Sequence, residues 1–192
     1  MRARTLAGVT AFVIALWALV VRGALTLDLG VGRRLRPLGP LTIRIAAPRE
    51  VVFTVISSPY LGRTPRALEK KLEVLERSDD FVLAAHHTRT YGLTATTVET
   101  VRFEPPSHVH CRLVRGPVPY VVEQFALHET ADGTELEYRG ELGTDLWALG
   151  ALWGAAVARQ WEAAVETTLG AVKEEAERRA MRRRSRDVRL PS

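Results

Sequence analysis

Residues 132–172 read DGTELEYRGELGTDLWALGALWGAAVARQWEAAVETTLGAV. The turn signal Asp132-Gly133 opens into a run where Leu136, Tyr138 and Leu142 alternate with Glu135, Glu137, Arg139 and Glu141. That is the period-two pattern of a strand with one face buried and the other in water. Past Thr144 the period changes. Leu146, Leu149, Trp153, Ala156, Val157, Gln160, Ala164, Thr168 and Val172 recur at spacings of three and four. This predicts one long helix over about 145–180 with that face turned to the sheet. Gly150, Gly154, Ala155, Ala156 and Ala163 let the helix lie close or leave room beneath it, and Asp145 or Thr144 can cap its first turn. A strand run closed by one terminal helix implies an α+β domain whose curved sheet grips that helix, a shape that encloses space for an apolar small molecule.

Upstream, Leu41, Ile43 and Ile45 alternate with Thr42 and Arg44 as a strand, and Pro48 leads a helix over 49–56 that Ser57-Ser58-Pro59 ends. Residues 68–77 admit two readings. Leu68, Leu72 and Leu75 fit a helix, which local propensity favours, whereas Leu68, Leu72 and Val74 share one face of a strand. Residues 81–90 and 94–104 form a hairpin about Gly92, Pro105-Pro106 leads into a strand at 109–115, and Gly116-Pro117 turns into 118–128. Six or seven antiparallel strands result.

The chain has 192 residues, 46% of them hydrophobic, with four tryptophans, which is enough for one domain with a substantial core. Its net charge of +5 is local to one end, because Arg178, Arg179, Arg182, Arg183, Arg184, Arg186 and Arg189 against Asp187 already amount to +6. The body is about neutral and no basic stripe with interleaved aromatics crosses the strands, so nucleic acid is not an expected partner. Cys111 is the lone cysteine, which rules out an intramolecular disulfide and a multi-thiolate metal site within one chain.

Residues 5–21 are an uncharged, mostly apolar run of 17 residues between Arg4 and Arg22. Extended by 23–27 with Arg22 snorkelling, the run reaches the roughly 20 residues of a membrane-spanning helix. A cleaved signal peptide fits less well, since Val21-Arg22-Gly23 is a poor cleavage site. The expected layout is a membrane anchor at 1–27, a linker at 28–40, a domain at 41–178 and an Arg-rich tail at 179–192. Arg22, Arg33, Arg34 and Arg36 outweigh Arg2 and Arg4, so a single-pass membrane protein with a cytoplasmic domain is expected, its tail suited to an anionic leaflet.

Three stretches together resemble the START-like, or SRPBCC, helix-grip superfamily and its polyketide cyclase/dehydrase-type members. They are the strand and Pro-led helix Ile43-Arg44-Ile45-Ala46-Ala47-Pro48-Arg49-Glu50-Val51-Val52-Phe53, the turn Asp132-Gly133-Thr134-Glu135-Leu136, and the last helix through Trp161 and Leu169. The resemblance covers about residues 41–178. It implies a seven-stranded antiparallel sheet wrapped around the C-terminal helix with an apolar tunnel between them, and it makes residues 68–77 a strand. It transfers no catalytic motif.

Strand parity supplies the candidate site. Glu123 falls inward opposite Gly140, where a residue without a side chain leaves space before the carboxylate. The parity that joins Phe81, Leu83 and Ala85 to Val101 and Phe103 turns His87 and Glu99 inward, and Arg115 follows Val109, Cys111 and Leu113. Glu123 and His87 are candidate general acid or base groups; Glu99, Arg115, Tyr138, Trp153 and Val157 are candidate ligand-binding residues. The histidines do not converge, so no metal or other cofactor is expected, and Cys111 reads as small core filler. Three functions follow: a membrane-tethered module binding a lipid or another hydrophobic small molecule, a cyclase or dehydratase acting on a polyketide-like substrate, or a structural partner in a membrane complex.

Overall fold

The computed structural model describes residues 2–62, 70–90 and 93–187. In chain order the elements are α1 (Arg2–Val21), β1 (Arg34–Ile45), α2 (Arg49–Leu61), β2 (Leu72–Arg77), β3 (Val82–Thr90), β4 (Leu93–Glu104), β5 (His108–Arg115), β6 (Tyr120–Thr130), β7 (Gly133–Thr144) and α3 (Trp147–Asp187). The strands form one antiparallel sheet ordered β1-β7-β6-β5-β4-β3-β2. Sequential pairing runs from β2 to β7, and β1 adds to the free edge of β7. The inner face carries α2 and α3, with α3 closest to β1, α2 and β7. Between them lies the core, in which Tyr138, Leu38, Ile45, Leu136 and Leu142 have at most 2% of their surface exposed. The seven-stranded helix-grip layout is therefore the one anticipated.

Several local expectations change. β1 begins at Arg34, ahead of Leu41, so residues 34–40 belong to the sheet instead of a linker. Pro37, Gly39 and Pro40 disguise it, and an edge strand tolerates them because one side of its backbone needs no ladder partner. The pairing runs from Arg34↔Thr144 to Leu38↔Gly140, shifts, and resumes at Leu41↔Tyr138. Gly39 makes the shift possible: its φ is +75° and a Cβ there would lie 2.9 Å from the Tyr138 carbonyl oxygen. Its N–H donates to Glu162 Oε1 of α3 at 3.0 Å, fastening the bulge to the gripped helix.

Residues 72–77 form β2, paired with β3, so tertiary pairing overrides the helical propensity; Leu68 and the turn about Gly92 lie outside the described residues. Helix α2 continues past Pro59 to Leu61. The proline ring costs a bond to the Val55 carbonyl, which the Ser58 hydroxyl approaches at 3.4 Å instead. The buried stripe of α3 is Val157, Ala158, Val165, Leu169, Ala176 and Ala180, while Leu149, Ala156 and Thr168 are exposed. Among the described residues Asp145 makes no capping hydrogen bond to α3; it accepts from the backbone N–H groups of Leu29 at 2.7 Å and Gly30 at 2.9 Å.

The expected single-pass membrane anchor is overturned. No helix among the described residues is long and apolar enough to cross a membrane. Helix α1 stops at Val21, which is itself buried, and the chain then turns onto the domain. Thr96 N–H donates to the Arg22 carbonyl at 2.9 Å, and the Thr26 hydroxyl donates to the Gly116 carbonyl at 2.7 Å. Residues 23–27, needed to lengthen the apolar run to spanning length, are thus taken up by contacts with the β4 and β5 ends.

Candidate functional site

Inward-facing residues of β3 to β7, together with one from each of α2 and α3, meet in a polar cluster within the apolar core. Glu123 on β6 is its centre, buried and paired with Gly140. Its Oε2 accepts from the Tyr138 hydroxyl of β7 at 2.7 Å and from the Trp161 indole N–H of α3 at 2.7 Å. Glu99 on β4 is buried too. Its Oε1 accepts from the Thr97 hydroxyl at 2.7 Å, and its Oε2 lies 3.2 Å from His86 Nδ1 of β3. The opposite nitrogen, His86 Nε2, stands 3.1 Å from the Tyr60 hydroxyl of α2. Cys111 Sγ of β5 completes the group: one oxygen of each carboxylate and the sulfur lie within 4.8 Å of one another.

Electrostatics divides the two acids. Burial pushes the Glu123 carboxyl up, the negative charge of Glu99 pushes it further, and the Tyr138 and Trp161 hydrogen bonds only partly oppose this, leaving it at about 7. Burial also acts on Glu99, but the charge and hydrogen bond of His86 outweigh it, so Glu99 is held below the ordinary carboxylate range. For His86 burial disfavours the charged ring and Glu99 more than compensates, raising it above the ordinary imidazole value. Near neutrality the site therefore holds a His86–Glu99 ion pair beside a carboxyl poised between its two forms. Burial, followed by the nearby carboxylates, pushes the Cys111 thiol well up. A thiol and two carboxylates can ligate a cation, but a metal here would have to displace the Cys111 proton.

Of the residues anticipated from sequence, Glu123, Glu99 and Tyr138 come together in this cluster. His87 does not. The β3–β4 register sets Val82 against Val101, Ala84 against Glu99 and His86 against Thr97, so the inward face of β3 is Val82, Ala84 and His86. His87 instead has Nδ1 3.1 Å from the Thr96 hydroxyl and Nε2 3.8 Å from Glu73. Arg115 is exposed at the end of β5, because the pairing shifts between Val98 and Glu99 and parity does not carry through the shift. Trp153 donates its indole N–H to the Pro117 carbonyl at 2.9 Å, and Val157 is buried in the core, so both wall the same side of the grip. The space expected before Glu123 at Gly140 is closed: a Cβ there would lie 3.0 Å from Glu123 Cβ and 2.9 Å from the Val122 carbonyl. Gly140 permits close approach of β6 and β7 instead.

Sequence reasoning missed His86, Tyr60 and Thr97, and placed Trp161 only on the closing helix. The one available signal was the His86-His87 pair, which guarantees that one histidine faces inward without saying which. His108 and His110 stack on each other at 5.8 Å, away from the cluster, beside Glu104.

The sheet, the gripped helix and the polar cluster between them define a helix-grip domain of the START-like, or SRPBCC, superfamily. The model of the family described as polyketide cyclase / dehydrase and lipid transport matches residues 41–177, and the chain belongs to that family. Among solved structures, the aromatase/cyclase ZhuI from a Streptomyces strain superposes with a TM-score of 0.57 at 19% identity, over 77% of this chain and 95% of that one. A Thermus thermophilus protein gives 0.55 at 17% identity, over 75% and 94%. The di-domain aromatase/cyclase StfQ of the steffimycin biosynthetic pathway gives 0.59 at 17% identity over 78% of this chain, which spans about half (52%) of that protein's length. The di-domain BexL is likewise half covered, at 50%. At these identities the likeness establishes the fold alone. No curated protein matches the sequence.

Proposed function

We propose that the domain is a binding module that holds an apolar small molecule or lipid between the sheet and α3, with the ligand's polar group against Glu123 and Glu99. The observation that carries this reading is the convergence of side chains from α2, β3, β4, β5, β6, β7 and α3 on one buried polar cluster. Burying two carboxylates costs several kcal/mol unless each is matched, and a core needed only for packing is more stable apolar. The family description, which joins lipid transport to cyclase and dehydrase activity, supports the same reading. The test uses the full chain, because β1 begins at Arg34 and truncation at residue 40 would remove half of it. Native mass spectrometry of the purified protein should show co-purified small-molecule mass, and lipids or aromatic polyketides should raise its melting temperature. A ligand-free spectrum together with no shift from either class would defeat the proposal.

A second reading is acid–base catalysis of a cyclisation or dehydration. It is favoured by Glu123, a carboxyl at about 7 beside an ion-paired imidazole and so able to give or take a proton near neutrality. Under this reading Glu123→Gln binds a polyketide substrate as the wild type does but loses about 100-fold or more in turnover. Equal turnover would remove it.

A further inference from the structure

The donors around the two carboxylates are already committed. Tyr138 and Trp161 both point to Glu123 Oε2, Thr97 points to Glu99 Oε1, and His86 Nδ1 lies against Glu99 Oε2. What the cluster has left to offer is acceptor capacity on the carboxylate lone pairs, with two donors beside it: the thiol of Cys111, a residue 6% exposed, and the Tyr60 hydroxyl, whose proton is free when the protonated His86 donates to its oxygen. The residues in contact across the cluster include one cationic side chain, His86, and its charge is matched by Glu99; Arg115, the nearest arginine by sequence, is exposed. Glu123 therefore has no cation of its own, while aromatic rings stand close by: Trp161 and Tyr138 bond to it, and Tyr60 stacks edge-on to His86 at 5.9 Å. An acceptor-rich, electron-rich site buried among apolar groups is complementary to a donor that carries positive charge.

We infer that the ligand of this domain is an apolar molecule bearing a protonated amine, whose ammonium sits between Glu123 and Glu99 beside Cys111. This rests on the binding-module reading and names the chemical class it selects. A neutral alcohol can satisfy a lone pair and leaves Glu123 free to keep its proton; an ammonium satisfies several acceptors and favours the ionised carboxylate. Binding should hold Glu123 ionised and so release its proton near neutrality. The groups facing Glu123 that enter this balance are Glu99 on β4, His86 on β3, Cys111 on β5, Tyr138 on β7 and Tyr60 on α2.

The test compares isosteric pairs on the full chain by isothermal titration calorimetry: 2-aminotetralin against 2-tetralol, and decylamine against decanol. At pH 7 each amine should bind about tenfold or more tightly than its alcohol, the equivalent of one pKa unit of differential interaction. Its enthalpy should also vary with buffer ionisation enthalpy, reporting proton release, while that of the alcohol should not. Glu123→Gln should erase the amine's advantage; the wild-type pairs alone decide the matter if that variant does not fold. Alcohols binding as tightly as amines, or more so, would overturn the inference and leave the binding-module reading standing. Silence from every probe would count against both.

Discussion

Asp145 fastens the N-terminal segment to the start of α3. Its carboxylate accepts from Leu29, Gly30 and the Arg33 guanidinium, whose Nε lies 2.8 Å from Oδ1. Foremost the Arg33 hydrogen bond, then the Gly30 and Leu29 N–H groups, outweigh burial and hold it down at about 2. A carboxylate depressed by folding contributes stability above its unfolded value of 3.8, and that contribution is lost as pH falls through about 2. Asp145→Ala should therefore cost about 2–4 kcal/mol at pH 7 in urea denaturation, with the deficit shrinking toward pH 2. A loss below about 0.5 kcal/mol would show that the network does not hold the segment. Neither its partners nor its role was legible in the sequence, where Asp145 reads as a helix cap; the contacts span more than a hundred residues. Glu123, Glu99 and Tyr138 were legible, because clean alternation along β4, β6 and β7 reports which face each occupies. His87 was misplaced because Phe81, Val82, Leu83, Ala84 and Ala85 are all apolar, so either parity fits and a one-residue slip exchanges the faces.

At the scale of elements, α3 shows how periodicity underdetermines orientation. Val157 and Val172 belong both to the anticipated face and to the observed buried side, but the stripe through Ala158, Val165 and Leu169 has the same spacing as the one through Ala156 and Thr168. Small residues all around the helix leave the choice to packing against β1, β7 and α2. The start of α3 is decided by contact as well. Leu146 and Trp147 adopt φ of 69° and 47°, and their N–H groups donate to Val31 and Gly32 carbonyls at 2.8 Å and 3.1 Å. Left-handed conformations cost an ordinary residue about 1 kcal/mol that glycine avoids. Relief of that conformation offsets the lost burial of the 38% exposed Leu146 side chain, so Leu146→Gly should cost less than Leu152→Gly, which at a 74% exposed site within the helix should lower stability by about 1 kcal/mol, both read from thermal unfolding. If both substitutions destabilise equally, the left-handed turn carries no strain.

For the whole molecule, the buried cluster sets the dependence of stability on pH. Folding raises Glu123 from 4.5 to about 7, so its contribution is fully present below 4.5 and is lost as pH rises through about 7. His86, raised by Glu99 against burial, acts in the same direction above its unfolded value of 6.5. The ligand-free protein should thus be more stable at pH 5 than at pH 8, by an amount on the order of a few kcal/mol. Glu123→Gln should flatten much of that slope, as measured by urea titrations across the range. An unchanged slope would mean that Glu123 titrates as an exposed acid.

The sequence by itself determined the strand run, the long closing helix and most of the inward acids, because period and turn chemistry are local and survive without knowledge of neighbours. Tertiary structure alone decided that residues 34–40 join the sheet, that residues 23–27 pack on the domain instead of extending a membrane span, and that His86 rather than His87 meets Glu99. Each of those outcomes depends on register or on contacts between distant segments, whose free energies no local pattern records.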